Sequence, residues 1–211
     1  RQLEAAFYRN TLSHFFVTRA ITELALVKAA EDVAADLPAA VWAEALRLRD
    51  LLKYEFFFST KREFDAEVRH EADLAYPGWQ QAGLSTDQVV PRLAASRLLL
   101  AHRIVAPFLE AYSVLADRLA AADVTAEIDK NSLVAESIGV ARQRVLQRTI
   151  HSPESVSKDL FNNALQLAGN RRLLGPDDRD LPRRRAEFAA ELGDAVRRVG
   201  VIRTLASEAH Q

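Results

Sequence analysis

The sequence predicts an all-α fold, an array of about seven to nine helices with no sheet. Two observations carry that expectation. Apolar residues recur at three-to-four spacing along nearly the whole chain, and the seven glycines and seven prolines fall mostly where such stretches start or stop. With 211 residues and 49% hydrophobic content, the chain is long enough to bury a real core. It reads as a single helical domain over 1–211, with a candidate subdomain joint at 77–87. Because Arg1 stands inside what reads as a helix already under way, the domain is expected to be cut from a longer chain.

Taken in order, the first helix runs from about Arg1 into the twenties, with Leu3, Phe7, Asn10, His14, Val17 and Ile21 on one stripe. Asn10 and His14 lie one turn apart inside that stripe, so they share a face and need polar partners. Asp36-Leu37-Pro38 and Asp180-Leu181-Pro182 are one start device used twice: a carboxylate able to accept from exposed N–H groups, then Pro in the first turn, where no intrahelical donor is lost. The helix after Asp36 continues towards Phe56. A further helical pattern through Phe64, Val68 and Leu74 ends at Tyr76-Pro77-Gly78, a loop signal. From Val89 to about Ala122 the pattern is broken by Pro107, which predicts two helices or one kinked helix. Asp129 to Arg148 reads as a helix, Ser152-Pro153 starts another that Gly175-Pro176 ends, and the last helix follows Pro182.

Composition excludes several function classes. The 28 basic and 29 acidic residues balance to −1, so no overall field points to nucleic acid, and none is expected as a partner. The absence of Cys removes disulfides, thiolate metal sites and a cysteine nucleophile. The most apolar stretch, Leu93 to Ala116, is interrupted by Arg97, His102, Arg103 and Glu110, well short of the ~20 apolar residues of a span, so no transmembrane helix is expected. The five histidines form no His-Glu-x-x-His, and His70-Glu71-Ala72-Asp73 reads as a solvated helix face. Neither Gly-x-Ser-x-Gly nor a glycine-rich phosphate loop is present, so no catalytic residue, cofactor or metal site is assigned.

One charged feature stands out. Arg171, Arg172, Arg183, Arg184 and Arg185, with Arg197-Arg198 beyond them, are candidates for an anionic surface such as lipid headgroups. Asp177, Asp178, Asp180, Glu187 and Asp194 are interleaved with them, which favours an ordinary solvated helical surface instead.

Phe7-Tyr8-Arg9-Asn10 followed by His14 resembles the aromatic-Tyr-Arg-Asn-x-x-x-His element that follows the acyltransferase domain in glycerol-3-phosphate acyltransferases. Leu51-Leu52-Lys53-Tyr54-Glu55-Phe56-Phe57-Phe58 and the stretch Val145 to Leu174, with Ser152-Pro153-Glu154 and Leu160-Phe161, are similar to the same family in order. The chain thus resembles the C-terminal helical region of a bacterial membrane-bound glycerol-3-phosphate 1-O-acyltransferase. That resemblance implies a parent enzyme that transfers a fatty acyl group from acyl-CoA or acyl-carrier protein to sn-glycerol 3-phosphate, giving lysophosphatidate, at the cytoplasmic face of the membrane. It also implies an acyltransferase domain of the same chain as partner, with Tyr8, Asn10 and His14 as candidate contact residues and an anionic membrane surface as a second partner. The family's catalytic His and Asp are separated by four residues. Here position five after successive histidines is Arg19, Ala75, Pro107 and Val156, and His210 is followed only by Gln211, so this segment is expected to be non-catalytic. The alternative from another class is the helical ligand-binding and dimerisation domain of a bacterial transcriptional regulator.

Overall fold

The structure, a computed structural model, describes residues 2–81, 86–96, 99–175 and 179–208, the side chains of 2–15 lying outside the description. Among the described residues the chain is helical, with no strand. It divides into two compact units, one of residues 1–105 and 198–211, the other of 106–197. Residues 82–85 of the candidate joint at 77–87 lie outside the described residues.

The first unit is built around α1 (Gln2–Glu31). From Val17 to Val27 every side chain except Thr18 is buried, the pattern of a helix packed on all sides. Around it lie α2 (Leu37–Leu51), α3 (Lys61–Ala75), α4 (Val89–Ala95) and α5 (Ala101–Ile104). Asp36 opens α2 as expected, its carboxylate accepting from the Ala39 N–H at 3.0 Å with Pro38 in the first turn. The helix then buries Val41, Ala45, Leu48 and Leu51. Thr60 and Glu63 close a reciprocal capping box on α3, which turns Phe64, Val68, Ala72 and Ala75 inward. The following turn depends on Gly78, whose φ of 77° is left-handed and where an added Cβ would come within 3.0 Å of Gln81 Nε2.

The second unit repeats the plan around α6 (Ala106–Ala121), where every residue from Ala106 to Ala116 is buried. α7 (Lys130–Leu146), opened by Asp129, and α8 (Lys158–Asn170) pack against it. α9 (Leu181–Glu208) starts at the second Asp-Leu-Pro, and its residues to Arg197 belong to this unit.

Several boundaries differ from expectation: α2 ends at Leu51, short of Phe56, and Ser152-Pro153 opens a 3₁₀ turn, with α8 starting only at Lys158. The stretch from Val89 to Ala122 forms three helices, not two, because Pro107 sits in the first turn of α6, where a missing N–H costs nothing, and the chain leaves helical geometry again between α4 and α5. α8 ends at Asn170, before Gly175. Arg172 takes a left-handed φ of 55° and the Leu173 N–H reaches back to the Ala168 carbonyl at 2.9 Å, a Schellman closure without glycine. α1 and α7 end the same way, on Val33 (φ 49°) and Arg148 (φ 59°).

Val33 is the costly one, because a β-branched residue is poorly suited to left-handed backbone and, at 73% exposure, it gains little packing in return. A left-handed L-residue costs about 1–2 kcal/mol, and glycine returns about 0.5–1 kcal/mol of that as extra chain entropy. Val33→Gly is therefore expected to stabilise the chain by up to about 1 kcal/mol, read as a higher urea midpoint at unchanged slope. A lower midpoint would mean that the Val33 side chain contributes packing that outweighs its backbone strain.

Candidate functional site

The groups with the most unusual environments are two glutamates on the two central helices. Glu23, on α1, is fully buried. Its carboxylate accepts from the Leu100 N–H at 2.9 Å and the Ala101 N–H at 2.8 Å, the donors at the start of α5. Arg19, one turn earlier, adds its Nε at 3.1 Å and extends to Glu71 at 3.2 Å and to the Ser96 hydroxyl at 2.9 Å. Burial pushes the Glu23 carboxyl up to about 6, against the opposing pull of the Ala101 and Leu100 N–H groups and of Arg19. Glu110, on α6, is 3% exposed and does the same work in the second unit: it accepts from the His151 N–H at 3.1 Å, the Ser152 N–H at 3.0 Å and the Ser155 hydroxyl at 2.8 Å. That places the 3₁₀ turn Pro153–Ser155 beside α6. A third buried carboxylate, Glu44, takes Arg47 at 2.5 Å and the fully buried Arg198 at 2.6 Å.

These glutamates are structural by geometry. Their oxygens are directed at backbone donors or guanidinium groups within the fold, whereas a general base must aim a lone pair at a substrate hydroxyl. His102 is half-buried, and its Nε2 accepts from Arg103 Nε at 3.3 Å. Burial, then Arg103 and Arg203, push its pKa below the usual histidine value. Among the described residues no cluster of His, Cys, Asp and Glu suits a metal ion.

The arginines proposed for an anionic surface separate into different roles. Arg185 is a correction: it is 1% exposed and cannot contribute to a surface. Its Nε donates to the Leu173 carbonyl at 2.8 Å, and Nη1 lies 3.5 Å from the Ala122 carbonyl, so one guanidinium meets the C-terminal ends of α8 and α6. Arg184 donates to the Arg171 carbonyl at 2.6 Å, again at the end of α8. Arg171 pairs with Glu191 and lies 5.2 Å from the Phe188 ring centroid. Arg183 remains exposed, paired with Asp180 at 3.3 Å and Glu187 at 2.6 Å, and Arg172 is exposed. Tyr8, Asn10 and His14 lie on α1, their side chains outside the described residues.

Sequence reasoning missed Glu23 and counted Glu110 only as an interruption of an apolar stretch. The available signal was a lone carboxylate inside an otherwise apolar helical run, Ile21-Thr22-Glu23-Leu24-Ala25-Leu26 and Ala106-Pro107-Phe108-Leu109-Glu110-Ala111. A charge in such a run must find partners.

Residues 1–177 match the family described as the glycerol-3-phosphate acyltransferase C-terminal region. Proteins assigned as acyltransferase plsB1 in Mycobacterium bovis and in two strains of Mycobacterium tuberculosis are each 44% identical to this chain over 210 residues. The alignment covers 98% of this chain and 34% of each relative, so the chain spans about a third of the length of these relatives. No solved structure matches it.

The raised Glu23 carboxyl has a defined consequence for stability. Between its ordinary value of 4.5 and about 6 the folded chain holds more protons than the unfolded chain. Stability from this group is therefore fully present below 4.5 and is lost as pH rises through 6, a change of about 2 kcal/mol. Urea unfolding at pH 4 and pH 7.5 should show that loss in the native sequence and a smaller one in Glu23→Gln, which cannot ionise. Equal pH dependence in the two proteins would contradict the assignment.

Proposed function

The chain belongs to the family of glycerol-3-phosphate acyltransferase C-terminal regions, and from that premise we propose that it is the non-catalytic helical part of an enzyme moving a fatty acyl group from acyl-CoA or acyl-carrier protein to sn-glycerol 3-phosphate. The product is lysophosphatidate, an early intermediate of phospholipid synthesis. The chain braces an acyltransferase domain of the same polypeptide, and Tyr8, Asn10 and His14 on α1 are the residues that meet that domain. It binds no cofactor or metal of its own and sits peripherally at the cytoplasmic face of the membrane. No described helix is long and apolar enough to cross one. The transcriptional-regulator alternative gains no support from the matches.

The observation that carries this reading is the commitment of Glu23 and Glu110 to backbone N–H groups. The acyl-transfer step needs a base within hydrogen-bond reach of the glycerol hydroxyl and able to take its proton. The buried carboxylates instead hold the two units in shape. Arg185, Arg184 and Arg171 likewise serve helix ends and ion pairs, and exposed Arg183 is held by Asp180 and Glu187, which leaves exposed Arg172 as the member of this run best placed to face an anionic surface.

Purified alone, the chain should turn over no sn-glycerol 3-phosphate with acyl-CoA. In the full-length enzyme, Asn10→Ala should lower the melting temperature or the folded yield while the kcat of the folded enzyme stays within about twofold. Unchanged stability with activity lost several hundred-fold, roughly 3–4 kcal/mol of transition-state stabilisation, would place this region in the active site and overturn the reading.

A further inference from the structure

We propose that the aromatic turn between α2 and α3 is a membrane-docking site, in which Phe57 enters the interfacial layer of an anionic bilayer while Lys61 and Arg62 meet lipid phosphates. The inference deepens the peripheral membrane placement proposed above by naming the surface that makes it, and does not require the bracing role.

Three consecutive phenylalanines have different fates. Phe56 is buried at 7% exposure, and Phe58 packs edge-on against Phe64 at 5.6 Å with Arg49 lying 5.5 Å from its ring centroid. Phe57, between them, is 92% exposed, more than any other large apolar residue described as exposed. This exposure does not come from a loosely held loop. The Phe56 N–H donates to the Leu52 carbonyl at 3.1 Å, Arg49 donates to the Ser59 carbonyl at 2.8 Å, and the Thr60 capping box follows at once. The neighbours are anchored inward, and Phe57 is thereby presented outward.

The surrounding charge is positive. From Lys53 to Arg62 three bases, Lys53, Lys61 and Arg62, stand against one acid, Glu55. Lys53 is half-buried and paired with Asp50 at 2.9 Å, while Lys61 and Arg62 are exposed. Lys61 and Arg62 occupy the first turn of α3, where the helix dipole disfavours cations. Two bases at that end oppose local helix stability and add to the positive potential beside Phe57. A cleft of about 380 Å³ is lined by Leu46, Arg49 and Asp50 on α2, by Lys53 just beyond it, by the three phenylalanines and by Lys61.

An exposed aromatic ring ringed by lysine and arginine suits a bilayer better than a protein partner. Lysine is depleted at protein interfaces, because its ammonium is costly to desolvate there. At a membrane the ammonium groups stay at phosphate level while the apolar group goes deeper. A single ring and a few cations make such docking reversible and salt-sensitive.

The test uses the 211-residue chain with vesicles of phosphatidylcholine alone or with about 30 mol% phosphatidylglycerol. The chain should pellet with the phosphatidylglycerol vesicles and be released by high salt. Phe57→Ser should weaken that binding at least about fivefold with an unchanged melting temperature, since the ring contacts little in the fold. Relative to the native chain, whose indole emission comes from Trp42 and Trp79, the emission added in Phe57→Trp should shift to the blue on adding the anionic vesicles. Failure to bind them, as expected if this turn docks a protein, would overturn the proposal. So would binding that Phe57→Ser leaves intact, or emission at position 57 that does not move.

Discussion

A carboxylate inside a helical core is tolerated only where donors meet both of its oxygens, and each unit of this chain meets that demand with backbone N–H groups from a distant segment. Glu23 reaches Leu100 and Ala101, and Glu110 reaches His151, Ser152 and Ser155. In both cases the backbone donors lie at the start of a short helical turn, where N–H groups have no partner within the helix, and Ser155 at the end of its turn adds its hydroxyl. A side chain on the central helix therefore acts as an N-cap for an element about 40 to 80 residues further along. The apolar packing of α1 and α6 supplies most of the burial. The glutamates decide which part of the following chain lies where.

The complementary problem, carbonyls without partners at helix ends, is met by arginine. Arg185 is buried with Leu173 and Ala122 as carbonyl partners, and Arg184 reaches the Arg171 carbonyl. Both arginines stand in the first turns of α9, so the start of one helix closes the ends of two earlier ones. Burial draws the Arg185 pKa down. The partial negative charge at two helix C-termini offsets part of the desolvation cost that the guanidinium carries. Much of that basic run is thus committed to carbonyls and carboxylates, whereas Lys61 and Arg62 near Phe57 lie at the surface.

Much of the architecture was legible because it is written in local chemistry. Asp36-Leu37-Pro38 and Asp180-Leu181-Pro182 start α2 and α9, Asp129 starts α7, and Tyr76-Pro77-Gly78 ends the pattern through Phe64 and Val68. The helix ends at Val33 and Arg172 were not legible, because neither residue type favours left-handed backbone and the bonds that close these ends run between backbone groups. The roles of Glu23 and Arg185 were hidden for a related reason: their partners are backbone atoms far away in sequence, and backbone groups leave no mark in composition. Arg185 looked the same as Arg183, yet one is buried and the other lies in solvent.

Amide hydrogen exchange at Leu100, Ala101, His151 and Ser152 tests the glutamate account most directly. If Glu23 and Glu110 hold these N–H groups, all four should exchange as slowly as the buried stretches of α1 and α6, opening only when their unit unfolds. Exchange at the rate of an exposed loop, with α1 and α6 still protected, would mean that the carboxylates do not anchor these segments and would contradict the account.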